Sequence, residues 1–181
     1  SPISYTMPMA SAQVKSAILL AALYTEGTTV IHEPSPSRNH TEIMLEQFGA
    51  DISAEDGVIR LKGGNALSAS DVTVPGDISS AAFPIVLAVL KPGSSITVEN
   101  VSLNSTRSGI LDVLEMMGAD VRVEQTSSEG EAIGTVHASH TPNLKGFDIS
   151  GDIIPRLIDE IPIIALLAAY STEACTVRDA D

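Results

Sequence analysis

Apolar and polar positions along the chain follow an order that recurs. From Met7 to Ile52 it reads as a short strand, a small polar turn, an apolar helix, a strand, a polar loop and a second helix, closed by Gly49-Ala50-Asp51. Val14, Ala17, Ile18, Ala21 and Ala22 fall at helical spacing and predict a helix over about Ala12–Tyr24, with Gly27 as its stop. Thr28–His32 is short and β-branched, as strands are. A second helix is predicted over about Thr41–Phe48, ending at Gly49. Asp51–Lys62 reads as a hairpin turning at Glu55-Asp56-Gly57, where Asp-Gly supplies the turn.

Val74–Val121 repeats that order, with a helix over Ser79–Leu90, a strand over Ser95–Glu99, a loop over Val101–Thr106 and a second helix over Ser108–Met117. It closes with Gly118-Ala119-Asp120, 69 residues after the first such triplet. A longer polar loop is expected at Thr126–Glu131. A third copy begins at Phe147 with a strand, Gly151-Asp152, a helix over about Ile158–Tyr170 and a strand over Ala174–Asp179. Each unit reads βαβαββ, and the fold class is α/β. The first helix of each unit is apolar enough to expect burial on nearly all sides. The second helices look amphipathic and outward, with Ile110, Leu111, Leu114 and Met117 on one face and Asp112 and Glu115 off it. Gly63–Ser70 is the expected linker.

Composition narrows the function classes. Of 181 residues, 10 are Lys or Arg and 23 are Asp or Glu, a net charge of −13. That balance argues against nucleic acid and against anionic membranes, whose phosphates need a positive field. Cys175 is the only cysteine, which excludes an internal disulfide and a Cys-based zinc site. Aromatic residues make up 3% with no Trp, disfavouring base-stacking modules. No apolar run is long enough to span a bilayer, and no signal peptide is evident. The chain opens at Ser1, in strand-like sequence, and stops at Asp181 after another strand-like run, and reads as a piece of a longer protein.

Five clusters could carry chemistry. At Met7–Lys15 a strand meets a helix N-terminus, where free N–H groups and the helix dipole favour an anion. Ser11 offers a hydroxyl and Gln13 an amide there, although a plain N-cap role for Ser11 is the simpler account. Ser37-Arg38-Asn39-His40-Thr41-Glu42 puts a guanidinium in a loop before a helix, where it matches phosphate or carboxylate or makes an ordinary surface ion pair. Asn39 or Thr41 suits a cap, and His40 is a weak candidate base. Pro75-Gly76-Asp77-Ile78-Ser79-Ser80-Ala81 is the same corner in the second unit, with Asp77 and Ser79 as natural caps. Asn104–Gly109 places Arg107 where the repeat places Arg38, and repetition suggests a role in the fold. In Arg156–Pro162, Asp159 and Glu160 precede a long apolar helix with Pro162 in its first turn, a good helix start that could include a general base. His32, His40, His137 and His140 lack ligand spacing, so no metal is expected.

These segments, in this order and over the whole chain, resemble the 5-enolpyruvylshikimate-3-phosphate synthase family. They are Pro8–Ala17, Ser37–Glu42, Val74–Phe83, Asn104–Gly109 and Ile158–Pro162. The Ser-Ala-Gln and Ile-Asp-Glu wording is most similar to the bacterial branch that includes glyphosate-tolerant members. The resemblance implies two domains, each of three βαβαββ units around buried parallel helices. Residues 1–73 would be the last unit of the first, upper domain. Residues 74–181 would be one complete and one partial unit of the second.

The implied reaction moves the carboxyvinyl group of phosphoenolpyruvate to the 5-hydroxyl of shikimate 3-phosphate and releases phosphate, with no metal or organic cofactor. Matches to Ser11, Ala12 and Gln13 hold the phosphate and ring of shikimate 3-phosphate, with Gln13 also reaching phosphoenolpyruvate. The match to Arg38 contacts shikimate 3-phosphate. The match to Asp159 binds its hydroxyls and is the leading base. The arginines and lysine by which the family clamps phosphoenolpyruvate match nothing in this chain, so the piece alone is expected to be inactive. The intact enzyme is expected to be a cytoplasmic monomer, and the piece to be able to self-associate. Two alternatives stand beside this. A UDP-N-acetylglucosamine enolpyruvyltransferase shares fold and chemistry, but its usual loop cysteine is not matched by Cys175. A truncated, non-catalytic folding or oligomerisation module would share the repeat and the caps.

Overall fold

The computed structural model describes residues 1–127 and 130–180. The chain divides into two compact units, Ser1–Thr73 and Val74–Asp181.

In the first unit β1 (Ser4–Thr6) leads through the corner at Met7–Ser11 into α1 (Ala12–Ala22), and β2 (Gly27–His32) returns parallel to β1. A loop then leads to α2 (His40–Gln47), followed by the hairpin of β3 (Asp51–Glu55) and β4 (Val58–Gly63). The sheet order is β1-β2-β4-β3. Asp56 and Gly57 both have positive φ, 49° and 73°, as the expected two-residue turn requires. Met7, Leu19, Ile31, Leu45, Ile59 and Leu61 form the core between the helices and the sheet.

The second unit repeats this plan. Residues around Gly76 bridge in parallel to Val101, in the place β1 holds beside β2. Then come α3 (Ile78–Leu90), β5 (Ser95–Ser102), α4 (Gly109–Met116), β6 (Val121–Ser127) and β7 (Ile133–Ser139), with sheet order β5-β7-β6. A third parallel pair, β8 (Asp148–Ile149) and β9 (Thr176–Val177), brackets α5 (Ile161–Ala169). The two Gly-Ala-Asp triplets have one job. Gly49 and Gly118 take φ of 79° and 68°, ending α2 and α4 with paired back-bonds such as Ala50 N to Leu45 O and Ala119 N to Leu114 O.

Several expectations need correction. α1 ends at Ala22, and Gly27 opens β2 instead of stopping the helix. β5 runs on to Ser102 past a bulge at Asn100, φ 56°, so the loop begins later than expected. The helix expected over Ile158–Tyr170 starts as a 3-10 turn, Ile158–Glu160, and only then becomes α5. β9 is two residues long rather than six. The polar loop at Thr126–Glu131 lies partly outside the described residues.

Burial also differs. α3 is buried over most of its surface, but α1 buries only Lys15, Leu19 and Ala22 and leaves Val14 and Leu20 exposed. Its neighbours in this chain cover one side, whereas its sequence is apolar on several. Among the described residues no helix is long and apolar enough to cross a membrane.

Candidate functional site

Parallel pairing of β1 and β2 decides what meets in the first unit. Both strands point the same way, so the corner after β1 and the loop after β2 leave the sheet at one end, tied by Met7 N to His32 O at 2.9 Å. The corner carries Ser11, Ala12 and Gln13, and the loop carries Arg38. Ser11 is the N-cap of α1: its extended backbone lets Oγ accept from Val14 N at 3.4 Å. Ser11 Oγ also donates to Gln13 Oε1 at 3.3 Å. The N–H groups of Ala12 and Gln13 have no acceptor among the described residues, as expected for first-turn groups left to solvent or a ligand. Arg38 is half-buried, two residues before α2.

Beneath them lies a cluster that sequence reasoning missed. Lys15 is 1% exposed, and its ammonium meets Glu42 Oε1 at 2.6 Å and Glu33 Oε2 at 3.1 Å. Glu33 ends the β2 side of the Arg38 loop, and Glu42, in the first turn of α2, ends the other. Ser37 Oγ donates to Glu33 Oε1, and Ser16 Oγ and Thr41 Oγ1 share a 2.6 Å hydrogen bond. Glu42 sits in the first turn of α2 and is also a buried ion-pair partner. A signal was present: Lys15 is the only cation before Arg38 and sits on an apolar helix, where a lysine needs a buried partner or an exit to water.

The second unit builds the same corner with different chemistry. Asp77 caps α3, its carboxylate accepting from Ser79 N at 3.3 Å, Ser80 N at 3.0 Å and Ser80 Oγ at 2.8 Å. Arg107, at the repeat position of Arg38, reaches Ser79 Oγ at 2.7 Å, Asp77 Oδ1 at 3.3 Å and Asp159 Oδ2 at 3.7 Å. The fold role suggested by repetition is therefore only half of what Arg107 does, because it also holds the candidate base. Asp159 lies in the 3-10 turn; Glu160 takes the cap position of α5 and makes no side-chain cap bond. Asn104 is buried and turns its loop by accepting from Thr106 N at 2.8 Å.

Burial pushes the Asp77 carboxyl up, but the Ser80 hydroxyl, the N–H groups of Ser80 and Ser79 and the Arg107 charge outweigh it and hold it below its ordinary value of 3.8. Its folded-state value lies under the unfolded one. Asp77 thus contributes stability that is complete above about pH 4 and lost as pH falls through the depressed value. In the full-length protein Asp77→Asn, which still caps a helix, is expected to flatten the acid limb of melting temperature against pH. An unchanged limb would show that other groups set it.

His137 Nδ1 pairs with Thr97 Oγ1 at 2.9 Å and His140 Nδ1 with Val89 O at 3.0 Å. Among the described residues no group of three or more His, Cys, Asp or Glu is placed to hold a metal.

The chain is thus built from repeated units that pair their first two strands in parallel, with polar corners at the strand ends. The chain shares this fold with the enolpyruvyl transferase NikO from Streptomyces tendae, at a TM-score of 0.67 and 22% identity over 97% of this chain and 45% of that one. It matches EPSP synthase from Acinetobacter baumannii with a TM-score of 0.90 and 42% identity, over 98% of this chain and 42% of that chain.

The chain belongs to the EPSP synthase (3-phosphoshikimate 1-carboxyvinyltransferase) family, whose family model matches residues 1–181. It is 52% identical over 179 residues to the 3-phosphoshikimate 1-carboxyvinyltransferase of Listeria monocytogenes, and 52% identical over 178 residues to that of Bacillus anthracis. In each case it covers 98% of its own length and spans 42% of the relative's. These relatives favour the shikimate enzyme over the UDP-N-acetylglucosamine alternative.

Proposed function

We propose that the full-length protein transfers the carboxyvinyl group of phosphoenolpyruvate to the 5-hydroxyl of shikimate 3-phosphate, and that this chain supplies part of the shikimate 3-phosphate half-site and the base. The observation that carries this reading is the Ser11–Gln13 corner. It offers first-turn N–H groups without acceptors among the described residues, a hydroxyl and an amide, at the same sheet end as Arg38. The corner binds the phosphate and ring of shikimate 3-phosphate, and Arg38 contacts the same substrate. Asp159, held by Arg107, binds the ring hydroxyls and accepts the 5-hydroxyl proton as that oxygen bonds to the central carbon of phosphoenolpyruvate. A proton added at the methylene carbon completes the addition. Its later loss, with departure of phosphate, restores the double bond.

Residues 1–73 act as the last unit of the first domain, and 74–181 as one complete and one partial unit of the second. The open apolar flanks of α1 fit such packing, since Val14 and Leu20 are suited to further units of the same domain. The test is a titration of the full-length protein with shikimate 3-phosphate, followed by phosphate release on adding phosphoenolpyruvate. Saturable binding and release support the assignment, and absence of both overturns it. Release with UDP-N-acetylglucosamine as acceptor instead would establish the alternative.

A further inference from the structure

We infer that Lys15, acting through Glu33 and Ser37, is the positioning residue of Arg38. The inference rests on the shikimate 3-phosphate reading above and adds to it a residue that touches no substrate. Lys15 lies one turn beyond the Ser11–Gln13 corner, on the helix that the corner opens. Its ammonium is shared between two carboxylates at the two ends of the loop that carries Arg38, at 3.1 Å from Glu33 and 2.6 Å from Glu42. Glu33 spends its other oxygen on the hydroxyl of Ser37, the residue before Arg38. The Ser16–Thr41 hydrogen bond pins the far end of the loop to the same helix. A chain of polar contacts thus runs from the phosphate corner to the residue beside Arg38, and the corner and the guanidinium are built on one buried cation.

Stability alone is a poor account of such a cluster. Two buried carboxylates share one ammonium, and Glu42 Oε2 is buried without a hydrogen-bond partner among the described residues. Removing charges from water costs about as much as their pairing returns, and apolar replacements of similar size often do as well. What an apolar cluster cannot do is fix a loop in one register, because dispersion contacts have no direction. The arrangement accepts an unsatisfied oxygen in exchange for a defined loop geometry.

The test uses the full-length enzyme and reads shikimate 3-phosphate dissociation constants and both KM values. Glu33→Ala cuts the path to Ser37 yet leaves Lys15 and Glu42 as a one-to-one pair, so the fold is expected to hold. Shikimate 3-phosphate should bind about tenfold or more weakly, the scale of one charge-assisted contact, while the phosphoenolpyruvate KM stays within a few-fold. In an Arg38→Ala background the same substitution should add no further loss, because the residue it positions is gone. Lys15→Met should behave in the same way where it folds, and Glu33→Ala decides the matter where it does not. Unchanged shikimate 3-phosphate affinity in Glu33→Ala, or an equal loss with Arg38 already removed, would overturn the inference. Those results leave the functional reading intact, whereas a wild-type enzyme that binds no shikimate 3-phosphate overturns both.

Discussion

Asp159→Asn in the full-length enzyme is expected to lower turnover by about 10²–10⁴-fold, the usual contribution of a general acid or base, with a much smaller change in shikimate 3-phosphate affinity. The substitution keeps the shape of the side chain and its capacity to accept a hydrogen bond from a ring hydroxyl, and removes the ability to take a proton. It should not unsettle the fold. Asp159 is half-exposed within a 3-10 turn, away from the cap position of α5, and Arg107 keeps Ser79 and Asp77 as partners when the third contact weakens. A single-turnover measurement separates the chemical step from binding. Near-normal turnover would remove Asp159 from the catalytic role and leave the family assignment untouched. Arg107 offers an internal comparison, since losing it should loosen Asp159 without removing the carboxylate. Its effect on turnover should therefore be smaller than that of Asp159→Asn.

The repeat was legible because its signals are local. Helical spacing in α1, β-branched residues in β2, the Asp-Gly turn and the two helix-ending glycines each act within a few residues, and together they give the element order. Boundaries slipped where a tertiary contact overrode the local pattern. The sequence continues past Glu99 with Asn100, which reads as a break, yet Asn100 adopts a left-handed bulge and Val101 returns to the sheet to pair with Gly134. The acids before α5 read as a helix start, but the helix forms only after a 3-10 turn that places Asp159 beside Arg107.

The candidate site was legible only in part for a related reason. Ser11, Gln13, Arg38 and Asp159 stand in motifs, but Lys15, Glu33 and Glu42 are separated by 18 and 9 residues and meet only through the fold. Periodicity marks which face of α1 is buried, and says nothing about which buried position is charged.

The two corners also explain why a duplicated unit need not give a duplicated anion site. In the second unit the Asp77 carboxylate already occupies the helix N-terminus, taking the Ser79 and Ser80 N–H groups, and Arg107 is held by Asp77 and Asp159. An external phosphate there would meet carboxylates, and like charges at contact distance repel strongly in a partly buried setting. In the first unit the equivalent positions are Ser-Ala-Gln, all uncharged, so an anion can approach the helix end. One exchange of a capping carboxylate for a hydroxyl separates a self-filled corner from an open one.

That contrast sets the expectation for Arg38→Ala. If the first corner is open to phosphate and Arg38 supplies the cation that the helix end lacks, the substitution should weaken shikimate 3-phosphate binding by about 10- to 150-fold, the equivalent of roughly 1.5–3 kcal/mol for a hydrogen bond to a charged group. The loss should appear in the dissociation constant and in the shikimate 3-phosphate KM. Turnover at saturating substrate should change little, because a contact made equally in the ground and transition states shifts KM and not kcat. Arg38→Lys keeps the charge and loses the planar fork, so it should recover part of the affinity and not all of it. Both variants should melt near the wild-type temperature, since the Lys15–Glu33–Glu42 cluster ties the loop to α1. An ordinary surface arginine would behave differently, with Ala, Lys and wild type all binding shikimate 3-phosphate alike. That result would leave the Ser11–Gln13 corner to bind the phosphate with backbone donors alone.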